Sequence, residues 1–217
     1  MASLDPAAMK AINDELGTDV NFGALGGFEG GQLLNGYVPT ARDGTVIGRS
    51  GVTICTGIDL GQQDLRWLTA MQLPADLEAA LTPYLGLTMQ AAVTALAAQP
   101  LLISRDEGNL LDSMVQKDYL ESTMQSWATH SSATTTGFTD LTSAQQTVLL
   151  SRTYHQGKGM SNTQVAQPFY TAAIQGDWLL AETNLRNYNV TPQWYKNRVA
   201  AEAHLLEAER QAQSSNP

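Results

Sequence analysis

Cysteine occurs once in the 217 residues, as Cys55, so the chain can build neither an internal disulfide framework nor a Cys-rich zinc site. Its three histidines, His130, His155 and His204, stand far apart and show no metal-ligand spacing. Charged residues make up only 15% of the chain and the acids predominate, giving a formal net charge of −9. That balance lacks the basic patches nucleic acid requires. It also withholds any general electrostatic attraction to an anionic polymer. Apolar runs are short and interrupted, and none is long enough to span a bilayer. The opening stretch Met1-Ala2-Ser3-Leu4-Asp5-Pro6 has neither a basic start nor an apolar run, so no signal peptide is read there. The expectation is a chain made in the cytoplasm and delivered by lysis or a secretion device, or a domain cut from something larger.

What the sequence does have is enough apolar material for a core. Hydrophobic residues reach 43%, and 217 residues suffice for one domain of ordinary size or a compact two-lobed one. Residues 4–16 predict a short helix, with Asp5 as cap and Gly17 after its end. Residues 20–62 are Gly-rich and β-branched, and Asp43-Gly44 between Tyr37-Val38 and Val46-Ile47 gives a hairpin signal. Gly51 to Gly57 reads as one further strand. From residue 63 the pattern is helical, with segments at 63–72, 75–85, 88–98, 105–128, 142–156, 163–175, 177–187 and 192–212. Ser104-Arg105-Asp106-Glu107 is a capping box, and Thr191-Pro192 pairs a cap with a first-turn proline. Ser/Thr-rich residues 130–136 read as a loop. The expected fold is α+β and mostly α-helical. A small β-hairpin subdomain, 20–62, stands beside a larger helical lobe, 63–212, within one domain, 1–217, that is expected to be a monomer.

Most acidic residues, among them Glu78, Asp112, Glu121, Glu202 and Glu207, fall on predicted helices among polar neighbours and read as solvated faces. Glu29 and Asp59 have different settings. Glu29 stands in Gly26-Gly27-Phe28-Glu29-Gly30-Gly31, where glycines let backbone approach a ligand and Phe28 offers apolar surface that raises a carboxyl pKa. An exposed loop acid is the equal alternative. Asp59, in Thr53-Ile54-Cys55-Thr56-Gly57-Ile58-Asp59-Leu60-Gly61-Gln62, shares strand parity with Thr53, so a hydroxyl and a carboxylate would lie on one side. The competing reading makes Asp59 the cap of the next helix. Cys55 with His155 suggests a thiol nucleophile and base, but a cysteine inside a β-branched run is more usually buried and inert.

The order GFEGG, hairpin, SGVTICTGIDLGQ resembles the pesticin-like branch of the phage-type lysozymes. In that branch a glutamate is followed, after a hairpin, by a threonine and an aspartate in a G-x-T-I-x-x-G-x-D-x-G-Q stretch. The corresponding residues are Glu29, Thr53 and Asp59. Leu141 to Gly157 is similar to the lysozyme segment beneath the cleft, with His155 where asparagine is common. Trp194 to Glu202 is similar to the closing helix.

The resemblance implies a lysozyme-like fold with its cleft between the two parts, and a muramidase acting on peptidoglycan without metal or cofactor. Glu29 would be the acid, and Asp59 with Thr53 would hold the attacking water. Tyr37, Tyr154 and Gln156 would line the saccharide cleft. A toxin of this kind would imply an immunity protein in the producing cell, whereas an endolysin would not. Two rivals stay open: a Cys55/His155 amidase or peptidase, and a peptidoglycan-binding module without turnover.

Overall fold

The computed structural model describes residues 4–28, 30–131, 136–160, 163–191 and 193–215. The chain divides into two compact units, Met1–Met9 with Gly26–Gln116, and Lys10–Leu25 with Lys117–Pro217. Ten helices are present among the described residues. They are α1 (Pro6–Leu16), α2 (Phe22–Phe28), α3 (Leu65–Ala70), α4 (Ala75–Leu81), α5 (Met89–Ala98), α6 (Arg105–His130), α7 (Ser143–Gln156), α8 (Gln167–Ile174), α9 (Trp178–Arg186) and α10 (Gln193–Ser214). The predicted capping box at α6 forms. The Glu107 carboxylate accepts from the Ser104 backbone N–H and hydroxyl, each at 2.7 Å, and the Ser104 hydroxyl accepts from the Glu107 N–H at 3.3 Å. A second box, Thr142 with Gln145, opens α7. Such caps are worth about 1 kcal/mol each. The expected helix at 163–175 begins at Gln167, after a turn, and most of the predicted 130–136 loop and Pro192 lie outside the described residues.

The first unit carries a three-stranded antiparallel sheet in the order β1 (Leu33–Tyr37), β2 (Thr53–Cys55), β3 (Ile58–Asp59). Its free edge is covered by residues 101–103. The Gly36 N–H donates to the Leu101 carbonyl at 2.9 Å, and the Ile103 N–H to that of Leu34 at 3.1 Å. A Cβ on Gly36 would stand 2.9 Å from that of Leu101, so this edge closes only over glycine. Val52 just before β2, Ile54 within it, Leu60 after the sheet, and Leu68, Leu77 and Leu81 from α3 and α4 are wholly buried.

The 20–62 region is less β-rich than its composition suggests. Phe22–Phe28 is a helix despite three glycines, because Phe22 and Leu25 are buried and the Asn21 side chain accepts from the Ala24 N–H at 3.0 Å. Asp43-Gly44 does turn the chain, with Gly44 at φ +83° and a bridge between Thr40 and Val46, but Val46-Ile47 forms no strand. The Gly51–Gly57 run also does not continue to Asp59. It turns at Cys55-Thr56-Gly57, where Cys55 (φ +55°) and Gly57 (φ +85°) take the left-handed conformation, and β3 runs back along β2.

In the second unit α7 is the central helix, with Ala144 and every residue from Gln146 to Thr153 buried. Helix α10 packs on α7 and α9, and α8 packs on α9. Two buried polar groups of α7 hold the segment that leads into α2. Gln146 accepts from the Asp19 N–H at 2.7 Å, and the Thr147 hydroxyl accepts from the Asn21 N–H at 2.8 Å.

Candidate active site

Asp59 and Thr53 are directly opposite one another on β3 and β2, and Tyr37 is opposite Thr53 on β1. Paired residues of neighbouring strands project from the same face of a sheet. Three of the six expected site residues therefore form one row across the sheet. The sequence placed Thr53 and Asp59 together by parity along a single strand. The structure joins them by a turn and a cross-strand pair, a tighter juxtaposition.

Asp59 is also a cap, as its alternative reading held. One carboxylate oxygen, Oδ1, accepts from the Gly61 N–H at 2.9 Å and the Gly51 N–H at 3.0 Å. The Gly51 N–H also lies 3.2 Å from Oδ2. The Gln62 side chain adds a further bond. Partial burial pushes the Asp59 carboxyl above its ordinary range, against the opposite pull of these donors. All the donors are neutral.

Gly51 and Gly61 are what permit this arrangement. A Cβ on Gly51 would meet the Gly61 Cα and the Leu87 carbonyl oxygen at 2.5 Å, and one on Gly61 would meet the same carbonyl at 2.4 Å. Both values lie far inside any tolerable contact, so the backbones close around Asp59 only because neither residue has a side chain. Sequence reasoning singled out neither glycine, although both belong to the motif that drew attention to Asp59.

Thr53 is buried, and its hydroxyl lies 3.4 Å from the Gly51 carbonyl. Beneath the turn, Asp112 of α6 accepts from the Thr56 N–H at 3.1 Å, the Thr56 hydroxyl at 2.5 Å and the Gln32 amide at 2.9 Å. Asp112 is thus no solvated face. It is 1% exposed, and burial raises its pKa. Its place is to pin the β2–β3 turn, and through it the Thr53–Asp59 pair, to a long helix.

Glu29 lies outside the described residues. Its flanks are the end of α2 at Phe28 and two left-handed glycines, Gly30 (φ +81°) and Gly31 (φ +89°). The remaining two expected residues, Tyr154 and Gln156, belong to the second unit. Tyr154 packs on Tyr119 with ring centroids 4.8 Å apart. The Gln156 amide donates to the Tyr188 hydroxyl at 2.8 Å and accepts from that of Tyr170 at 3.4 Å. Among the described residues, no group of His, Cys, Asp and Glu gathers as a metal site.

The thiol alternative fares poorly. Cys55 is buried, its sulfur 3.8 Å from the Gly108 carbonyl, and burial, with Asp112 nearby, pushes its thiol well above the ordinary range. A reactive cysteine needs the reverse. His155 is held down to about 3 by burial and by the positive charges of Arg198 and Arg152, which makes it a poor proton acceptor.

A family described as "Pesticin: bacterial toxin homologue of phage lysozyme, C-term" matches residues 19–179, well over half of the chain. The chain belongs to this family. Kinship with phage lysozyme supports lysozyme-type muramidase activity in general terms, and the helical architecture with a small antiparallel sheet is that of a lysozyme-like α+β fold. The pesticin-family match takes in Tyr37, Thr53, Asp59, Tyr154 and Gln156 and stops before α10. No curated protein matches the chain.

Proposed function

We propose that the chain hydrolyses the β-1,4 bond between N-acetylmuramic acid and N-acetylglucosamine in peptidoglycan, with inversion at the anomeric carbon. The observation that carries this reading is the cross-strand pairing of Thr53 with an Asp59 whose carboxylate is fixed by two backbone N–H groups. Glu29 protonates the oxygen of the leaving sugar as positive charge develops on the other ring. A water lying between the Thr53 hydroxyl and the Asp59 carboxylate attacks the anomeric carbon and gives its proton to Asp59. The neutral donors around Asp59 leave it able to take that proton, which an arginine partner would oppose. Every step uses side chains of this chain and water.

In this reading the protein is a bacteriolytic enzyme, a toxin, effector or endolysin. It reaches peptidoglycan of the periplasm or cell wall after delivery by lysis or a secretion system. A toxin of this kind calls for an immunity protein in the cell that makes it.

Purified peptidoglycan separates the rival readings. A muramidase releases reducing ends, a peptidase releases amines, and a binding module releases neither. Glu29→Gln is expected to reduce release of reducing ends by about a hundred- to ten-thousand-fold while folding normally. Near-normal turnover by that variant removes Glu29 from the mechanism. Proton NMR of the earliest products is expected to show the α-anomer, and initial β-anomer would mean retention and a different role for Thr53 and Asp59.

A further inference from the structure

Trp194, in the first turn of α10, keeps 54% of its surface exposed although it is among the largest apolar side chains of the second unit. Leaving such a ring in water forgoes burial energy, so an exposed and ordered tryptophan calls for a reason. This one is ordered by its neighbours. It stacks on Tyr195 with centroids 5.6 Å apart at 29°, and the edge of His155 meets it at 5.8 Å and 74°. His155 in turn lies 4.2 Å from Tyr195.

The shelf has a rigid foundation. Arg152, fully buried, donates from Nη2 to the Tyr195 hydroxyl at 3.3 Å and lies 5.4 Å from that ring's centre. Glu202, also buried, holds Arg152 and Arg198 at 3.3 Å each. Burial, and then the charges of Arg198 and Arg152, keep the imidazole uncharged in the neutral range, so His155 presents one N–H and one lone pair in place of a cation. The surface is therefore an uncharged aromatic ring beside a neutral donor and acceptor.

We propose that Trp194, Tyr195 and His155 form a saccharide-stacking site, in which the Trp194 ring packs against the C–H face of an N-acetylhexosamine of the glycan strand. This rests on the muramidase reading, since the strand is that enzyme's substrate. A chain with a net charge of −9 gains little from charge when it grips an anionic polymer, and stacking on a neutral shelf avoids the repulsion. Trp194 and Tyr195 stand on α10, beyond the family match at residues 19–179, and His155 stands on α7 within it.

The test separates binding from turnover. Full-length Glu29→Gln protein is titrated by calorimetry with the N-acetylglucosamine hexamer, alone and with Trp194→Ala or Trp194→Phe added. Trp194→Ala is expected to weaken binding about tenfold at an unchanged melting temperature, with Trp194→Phe recovering most of the loss. In the active background Trp194→Ala should raise KM for soluble glycan strands and leave kcat nearly unchanged. Unaltered affinity of the Trp194→Ala protein overturns the site, including when that variant instead loses binding to a protein partner. Failure of the muramidase reading shows separately, as parent protein that releases no reducing ends from purified peptidoglycan, and leaves the calorimetric binding arm readable.

Discussion

Asp59 and Glu202 are both carboxylates drawn out of water, and the two units of the chain satisfy them by opposite means. In the first unit Asp59 is held by two backbone N–H groups and an amide, and Asp112 below it by a hydroxyl, an N–H and an amide. No cation faces either among these partners, and both carboxyl groups are shifted upward by burial. In the second unit Glu202 meets two arginines and the Ser151 hydroxyl, at 2.5 Å from the latter. A carboxylate between two guanidinium groups serves as their counter-ion, whereas one held by neutral donors can still take a proton. Burial of an acid is therefore no guide to its work. The charge of its partners is.

That contrast can be broken by experiment. The largest effect should come from Asp59→Asn. The amide keeps the shape but cannot accept the proton of the attacking water, so release of reducing ends from peptidoglycan should fall about a hundredfold or more. The melting temperature should hold or rise, because the cost of desolvating a charge is gone. Glu202→Gln should do the reverse. With two buried arginines left unneutralised, urea denaturation should show a loss of about 3–5 kcal/mol, while the protein that remains folded turns over normally. Equal effects of the two substitutions on stability and on rate would erase the distinction.

A smaller effect should appear as pH dependence of stability. His155 has a folded pKa of about 3 against an ordinary 6.5, so the unfolded chain binds its proton more tightly. The stability this gives is complete above about pH 6.5 and is lost as the pH falls toward 3, on the order of 4–5 kcal/mol across that window. Asp59 and Asp112, with raised folded pKa values, act in the opposite sense just above 3.8, gaining stability as the pH falls there. Urea denaturation of His155→Asn between pH 7 and 4 should therefore show a visibly flatter dependence than the parent chain. An identical slope would mean that the imidazole is not held neutral by its burial and by the arginines near it.

The helical part of the fold was readable from sequence because its signals are local. Apolar residues recur at helical spacing, and caps such as Ser104 with Glu107 and Thr142 with Gln145 mark starts within four residues. Helix α2 was not readable, since Gly-Ala-Leu-Gly-Gly has poor intrinsic helicity and is held by the burial of Phe22 and Leu25. The pairing of Thr53 with Asp59 was correct for an incomplete reason, because a β-branched run gave no sign that Cys55 would adopt positive φ and reverse the chain. Asp112 and Glu202 looked like solvated acids. Arg198 is one turn from Glu202, but the partners that bury the two acids, Thr56 and Arg152, lie 40 or more residues away, and no periodicity announces a contact of that range.

The contact between Gly51 and Gly61 changes what counts as a mild substitution in this molecule. Main-chain donors are not encoded by any side chain, so no exchange of one functional group for another can delete them short of proline. They can only be pushed away. A single methyl group at either position would move the N–H groups off Asp59, and a scale that ranks replacements by chemical similarity would call that change nearly silent. In a survey of every possible replacement along the chain, positions 51 and 61 should therefore accept glycine alone. They would score with the acids themselves, although neither would ever touch a reacting atom.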